Sequence, residues 1–534
     1  MGNGTAIDAT KRNDRIAHAE CDHFDVAVIG AGITGCGIAR ETAMRGMRTL
    51  LVDADDIGSG TSSRSSKLIH GGLRYLAQGQ MTVVREAARE RRILRRIAPH
   101  LSLTNIMVVL AHSKKSINVL RTGMWTYETM GGVDSGERHR LWTPEEVNAK
   151  EPAVRWDAFA GAIVYPEYLT DDARLTLANA RSAAGCGAVV INYMAVTDVL
   201  FENGAVSGLV LQNTAGDDAQ RVRIRARKVV NAAGPWVDAV RKFEDPDAED
   251  KLQLTKGIHL VVSRTRLPLH HTVVWAAADG RGLFAVPRGR FVYIGTTDTF
   301  FSIPVYWPEI TRDDVGYLLE STNRTFAVDP LRDADILALW SGIRPLLGAK
   351  GKKPSEISRR NEILKGPGGM LTIAGGKLTS YRAMAQRTAD QIEKDLGRSV
   401  SPSRTGEEPL PGGDFTEPFE NLKARVAKLG LPEDEAERAA NLYGTEALDL
   451  FSNGTGPAVE AEFAVKTEGA LLLEDYWIRR SARSYFDENC GFGALIPASR
   501  KMGELLNWSE AFRSKQVNAC KHKKDATFSV IQCE

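Results

Sequence analysis

The chain has 534 residues, with 69 Lys plus Arg against 67 Asp plus Glu for a net charge of +2. That balance excludes a polybasic nucleic-acid coat or an acidic disordered tail as the main theme. An apolar fraction of 43% and a charged fraction of 25% are those of a folded globular protein, and at roughly 150 residues per domain the length suits three or four units.

Residues 1–22 carry Asp8, Asp14 and Glu20 and no apolar run, so they read as a loose polar tail rather than a signal peptide. Six cysteines (Cys21, Cys36, Cys186, Cys490, Cys520 and Cys533) are widely spaced and form no C-x-x-C pair. Neither a disulfide framework nor a metal site is expected, and a reducing cytoplasm is the better fit.

Phe24 to Gly30 is an apolar run ended by glycine, which suits a buried parallel strand. A helical pattern follows from Ile33 to Arg45 and stops at Gly46, and Arg48 to Asp53 reads as a second strand. Strand, helix and strand within ~30 residues make a βαβ unit. Its first turn, Gly30-Ala31-Gly32-Ile33-Thr34-Gly35, is G-x-G-x-x-G. The first glycine permits the tight turn, the second admits a pyrophosphate, and the third lets helix and strand pack closely. Amides at the helix start favour the phosphate charge. Asp53, 23 residues after Gly30, is placed to accept from a ribose hydroxyl.

This fingerprint does not separate FAD from NAD. The segment from Gly58 to Leu76 follows the acidic residue directly and is rich in Gly, Ser and Thr, with Lys67, His70 and Arg74 interleaved. Such a loop offers many backbone and hydroxyl donors to a second long stretch of cofactor. Helical patterns then occupy Met81–Ile97, Arg312–Phe326 and Tyr381–Leu396. The first of these is basic and amphipathic from Arg85 to Ile97, a pattern shared by membrane-surface helices and by helices that solvate their charges over a core. Strand-like stretches lie at Ala188–Tyr193, Lys228–Ala232, Leu260–Val262, Phe291–Gly295 and Met370–Ala374. Apolar runs such as Ile106 to Ala111 fall well short of the ~20 residues that span a bilayer. Pro402 to Gly413 reads as a linker. Beyond it, Glu417–Leu429, Glu433–Tyr443 and Val459–Ser484 favour helix, and the region around Lys521–Lys524 looks frayed.

Asp25–Leu76 resembles the N-terminal region of FAD-dependent glycerol-3-phosphate dehydrogenases. The resemblance continues in order through Thr170–Arg174, Val230–Val237, Lys256–His259, Ile294–Asp298, Ser341–Leu346 and Gly375–Arg382. It implies an α/β fold: an FAD-binding Rossmann-like domain of the glutathione-reductase or amino-acid-oxidase type, an α+β substrate domain and a helical C-terminal domain. The FAD domain is expected to be discontinuous (23–90, 160–250 and 340–401), with the substrate domain at 91–159 and 251–339. A linker at 402–413 would lead to the C-terminal domain at 414–534. By resemblance the FAD contacts come from Gly30, Gly32, Ile33, Thr34, Gly35, Asp53, Thr61, Ser62, Ser63, Ser66, Lys67, Leu68, His70, Ala233, Gly234, Gly376, Lys377, Leu378 and Thr379.

Oxidising a secondary alcohol with a flavin needs a base for the hydroxyl proton and positive charge for the forming alkoxide. A phosphorylated substrate further calls for arginines. The resemblance supplies Arg74, Tyr75, His259, Arg344, Arg359 and Lys377 as the substrate cluster, with His259, Arg344 and Lys377 as its catalytic members. It implies oxidation of glycerol 3-phosphate to dihydroxyacetone phosphate by hydride transfer to flavin N5, with electrons passed to quinone. Two departures from the family pattern stand out: Arg360-Asn361 follows Arg359, and Arg288 stands where an aromatic is common. They leave open a longer polyol phosphate such as a tetritol phosphate. Oxygen as acceptor and a non-redox FAD-bound binding protein also stay open. Nucleic acid is not an expected partner. The expected location is cytoplasmic, with any membrane contact peripheral on the inner face, and a homodimer is compatible with a sequence that does not itself set oligomeric state.

Overall fold

The computed structural model describes residues 5–71, 81–131, 135–216, 220–348 and 361–532. Two sheets organise the fold. In the first, His23–Ile29 lies between the parallel strands Arg221–Asn231 and Thr49–Val52. Val189–Ile191 extends it on one side and Leu371–Gly375 on the other, both parallel. Asn361–Lys365 and the hairpin Met194–Glu202/Ala205–Asn213 add antiparallel strands. Val26, Ala27, Val28, Leu50 and Leu51 are inaccessible to solvent, the continuous burial expected of a strand covered on both faces. On one face Val26, Val28 and Leu51 pack with Ile38, Leu177 and Ile392 of the helices Ile33–Met44, Asp172–Gly185 and Tyr381–Asp395. Gly37 lets two of these helices close, since a Cβ there would stand 2.8 Å from the Tyr381 ring.

The other face corrects one expectation. Residues 12–21 are no loose tail but a helix, whose Ile16 and Ala19 join Phe24, Ala27 and Leu50 in the core. Buried Arg12 fastens it, donating to Asn192 O at 3.0 Å and Tyr193 O at 2.8 Å.

Among the described residues the second sheet has ten strands and is largely antiparallel, running from Thr299–Phe301 through Leu252–Ser263, Phe291–Gly295, Gly282–Arg288, Thr272–Ala276, Leu103–Ala111 and Gly161–Leu169 to Leu68–Ile69. Ile336–Leu347 pairs along Leu252–Ser263 and Arg140–Trp142 along Gly161–Leu169. Strands Leu68–Ile69, Gly161–Leu169 and most of Ile336–Leu347 thus belong to this sheet, although the sequence reading assigned their segments to the FAD domain. The chain passes between the sheets repeatedly, so boundaries set by sequence position cut through strands.

The linker from residue 402 to 413 is tied down: Arg40 donates to Thr405 O at 3.0 Å and Glu408 O at 2.7 Å, and Leu410 N to Ile97 O at 2.8 Å. The basic helix Met81–Ile97 is tied to the rest of the protein by ion pairs of both signs. Glu90 pairs with Arg382 at 2.7 Å, Arg91 with Glu167 at 2.9 Å and Glu86 with Arg387 at 2.6 Å. Beyond the linker the chain is helical, but the stretch expected as one helix to Ser484 is divided. Pro457–Glu468 ends at Gly469, whose φ of +70° breaks the helix, and a π-helical turn Asp475–Arg480 follows. From that turn Arg479 and Arg480 both pair with Asp56, at 2.5 Å for Arg479, locking the C-terminal domain to the loop after the second strand. The terminal helix Glu510–Gln532 is not frayed at Lys521–Lys524: Cys520 is buried and Lys523 pairs with Glu474.

Candidate active site

The parallel strands of the first sheet end together, and the loops leaving them form a trough. Asp53 closes one side of it, its Oδ2 accepting from Ala31 N at 2.6 Å and its Oδ1 from Asp55 N at 3.0 Å. Ile33 N donates to Ser62 Oγ at 2.9 Å, which joins the glycine turn to the Ser/Thr loop. A cavity of about 370 Å³ is walled here by Gly30, Gly32, Asp53, Ser59–Ser62, Ala232–Trp236 and Tyr306. The glycines are required by close approach. A Cβ on Gly30 would stand 2.6 Å from Ala232 O, and one on Gly35 1.8 Å from Gly30 O. Burial pushes the Asp53 carboxyl up to about 7 against the pull of the Asp55 and Ala31 amides.

A second cavity, about 170 Å³, shares Thr61 and Ser62 with the first. His259, Arg344 and Lys377 all reach it, along with Ile33, Ser66, Leu68, His70 and Gly376–Thr379. Strand alternation explains the convergence of the first two. Thr255, Gly257 and His259 lie on one face of Leu252–Ser263 and pair in register with Arg344, Gly342 and Trp340. The His259 ring stacks on Trp340, with centroids 4.7 Å apart and planes 12° from parallel. It occupies the space left by Gly295, where a Cβ would stand 2.2 Å from its Cδ2. Its Nε2 lies 3.1 Å from Ser66 Oγ, and its Nδ1 has no hydrogen-bond partner among the described residues. Burial, with Arg344 and Lys67 nearby, holds the imidazole pKa well below its usual value, so the ring is neutral. Arg344 donates to Thr296 Oγ1 at 2.8 Å, Thr297 O at 3.2 Å and Asp298 Oδ1 at 3.2 Å. Lys377 comes from the turn after Leu371–Gly375, where Gly376 has φ +97° and Leu378–Ser380 runs into the helix Tyr381–Asp395. The positive end of that helix faces the cavity.

The structure leaves some expected residues off the walls. Lys67 is buried behind the loop, its ammonium 2.5 Å from Asp172 Oδ1 and 3.1 Å from Ser63 O. Thr34, Gly35 and Ser63 also line neither cavity. Arg74, Tyr75 and Arg359 lie outside the described residues. Sequence reasoning missed Tyr306, whose ring stands 4.5 Å from that of Trp236 beside the trough, while Trp236 and Gly257, over which Arg344 passes, figured only within motifs. The turn residues Thr296 and Asp298 that hold Arg344 were quoted only as part of a motif.

The residues present fit a flavin dinucleotide: a cleared glycine turn for a pyrophosphate, a carboxylate for a ribose, and a helix start beside a lysine for an electron-rich ring. Residues 25–390 match the family of FAD dependent oxidoreductases, and residues 403–513 match the C-terminal domain of alpha-glycerophosphate oxidase. The chain is 39% identical, over 95% of its length and 95% of theirs, to aerobic glycerol-3-phosphate dehydrogenases of Staphylococcus aureus strains USA300 and COL. The chain belongs to the FAD-dependent glycerol-3-phosphate dehydrogenase family. FAD is its cofactor, and its fold is that of the family. The glycerol-3-phosphate dehydrogenase of Bacillus halodurans, solved in complex with FAD, superimposes with a TM-score of 0.82 at 31% identity, covering 99% of this chain and 100% of that one. Glycine oxidase from Bacillus cereus, at 21% identity and a TM-score of 0.51 over 72% of this chain and 98% of its own, shares the fold alone.

Proposed function

We propose that the protein oxidises glycerol 3-phosphate to dihydroxyacetone phosphate and passes the electrons to a quinone. The observation that carries this reading is the meeting of Arg344, His259 and Lys377 on one small cavity that adjoins the dinucleotide trough. Arg344 presents a planar fork to a phosphate and is held in place by Thr296, Thr297 and Asp298. His259, kept neutral by its surroundings, accepts the hydroxyl proton. Lys377 supplies positive charge beside the forming carbonyl oxygen. FAD, held by the glycine turn, Asp53 and the Gly376–Thr379 turn, would supply the two-electron oxidant for the carbinol hydride. The aerobic dehydrogenase designation of the relatives supports a respiratory acceptor over direct reaction with oxygen.

No helix among the described residues is long and apolar enough to cross a membrane. Association with the inner face of the cytoplasmic membrane is peripheral in this reading. The helix Lys114–Gly131 supports it better than the basic helix does, since it exposes Val119 and Trp125 at 66% and 64% beside Lys114, Lys115 and Arg121. Carbonate washing of membranes should release the protein.

The test is anaerobic flavin bleaching with a panel of polyol phosphates, followed by reoxidation with quinone or with air. Rapid bleaching by glycerol 3-phosphate and reoxidation by quinone are expected. Faster bleaching by a tetritol phosphate would reassign the substrate, equal reoxidation by oxygen would make the protein an oxidase, and no bleaching by any of them would leave a binding protein.

A further inference from the structure

A cavity of about 630 Å³ lies away from the trough, between the second sheet and the C-terminal helices. Its floor is Leu103–Ile106 and Leu169–Asp171, its rim includes Arg264, His271 and Arg288, and its far wall is formed by Phe419, Lys423 and Asn441. Arg288, which departs from the family pattern, belongs to this cavity and not to the substrate site, and it pairs with Asp171 at 2.9 Å. Lys423 lies near Glu420 and Glu437, at 3.2 and 3.6 Å. Two further cations on the wall have no carboxylate partner among the described residues. Arg95 donates to Pro99 O at 3.2 Å and Ser102 O at 2.8 Å. Arg264 donates to Leu269 O at 2.8 Å and Gly289 O at 3.3 Å. Carbonyls orient these guanidinium groups and leave their charges uncompensated.

Three polar atoms of the same wall lack any hydrogen-bond partner among the described residues: His100 Nδ1, Thr170 Oγ1 and Asn441 Oδ1. His100 and Thr170 are 2% and 3% exposed. A buried polar group without a partner is costly, and a water, an ion or a ligand is one way in which such a group is satisfied. Burial, with Arg174 and Arg181 behind it, lowers the His100 pKa to about 3. The ring is therefore neutral and serves as a hydrogen-bonding group, not as a charge.

We propose that this cavity is a second binding site, for a phosphate-bearing anion held by Arg95 and Arg264, with Thr170, His100 and Asn441 completing its hydrogen bonds. Its floor is continuous with the flavin loop. Thr170 N donates to Lys67 O at 2.9 Å, and Asp172 Oδ2 accepts from Ser65 N at 2.8 Å.

The test is calorimetric titration of the FAD-loaded full chain with glucose 6-phosphate and, separately, with inorganic phosphate. One site per chain beyond the Arg344 cavity is expected, counted in the Arg344→Ala variant, where that cavity no longer competes. Arg95→Gln and Arg264→Gln should each weaken it ten-fold or more while leaving the KM for glycerol 3-phosphate within two-fold. Arg344→Ala, which acts on the other cavity, should leave it intact. Thr170→Val removes only a hydroxyl and should weaken it several-fold, which supplies the reading if an arginine variant fails to fold. Tighter binding of the ester than of phosphate would show that the rest of the cavity holds the organic part, and equal binding that the phosphate group alone is held. Absence of binding, binding indifferent to Arg264→Gln and Thr170→Val, or binding lost with Arg344→Ala would each overturn the proposal.

Discussion

The guanidinium of Arg344 lies across Gly257, so close that a Cβ on the glycine would stand 2.2 Å from Nη2 and 2.6 Å from Cζ. The two residues sit on adjacent strands, where Thr255 pairs with Arg344 and Gly257 with Gly342. The arginine reaches the cavity only because its diagonal neighbour has no side chain. Gly257→Ala should displace the fork without unfolding the sheet. A misplacement of ~1 Å can cost about a hundredfold, so kcat/KM should fall by roughly ten- to a hundredfold with FAD content unchanged. Steady-state kinetics with glycerol 3-phosphate check this, and an unaltered kcat/KM would show that the arginine needs no such clearance.

Arg344→Ala should lower kcat/KM for glycerol 3-phosphate by about ten- to a hundredfold, the ~1.5–3 kcal/mol of a charged hydrogen bond. Arg344→Lys should also lose most activity, because an ammonium cannot span Thr296 Oγ1 and Asp298 Oδ1 while presenting a planar fork. Unphosphorylated glycerol should be a poor substrate throughout and change far less. Equal losses on glycerol and glycerol 3-phosphate, or loss of FAD, would make Arg344 structural.

Asp53 holds its proton to about pH 7, against an ordinary 3.8, because it is buried. A folded-state carboxyl raised in this way binds more protons than the unfolded chain across that interval, so it makes stability fall as pH rises. FAD-free Asp53→Asn should therefore melt higher than the parent at pH 8 and level with it near pH 4. Its FAD affinity should be weaker by roughly 1–3 kcal/mol, the cost of a lost charged acceptor for a ribose hydroxyl. Melting curves without FAD and flavin titrations separate the two effects, and identical melts at pH 8 would exclude the first.

Lys67 and Asp172 form an ion pair whose side chains are 2% and 0% exposed. Removing one partner strands a charge away from water, at a cost of ~3–5 kcal/mol. Asp172→Ala should lower the unfolding free energy read from urea denaturation by that amount. Asp172→Asn keeps one carbonyl oxygen, which can still accept from Lys67 although the bond from Ser65 N to the second oxygen is lost, and should lose less. A midpoint unchanged in Asp172→Ala would mean that Lys67 finds another partner.

The local chemistry of the dinucleotide turn was determined by the sequence alone. The spacing of Gly30, Gly32 and Gly35 between two apolar runs, with Asp53 at the end of the second, marks this arrangement, because a Cβ on Gly30 or Gly35 would strike backbone. The turn into Gly376–Thr379 was legible for the same reason. His259 and Arg344, 85 residues apart, come together only because Leu252–Ser263 and Ile336–Leu347 pair in one register, and no local pattern carries that pairing. Lys67 could not be placed from sequence either. It sits in a loop rich in cofactor donors, but a buried carboxylate from Asp172 at the start of a distant helix claims its charge. The N-terminal helix was misread because its core contacts, Ile16 and Ala19, are too few to stand out among polar residues. Local sequence fixes what a backbone can approach, whereas which charges meet depends on the packing of segments far apart in the chain.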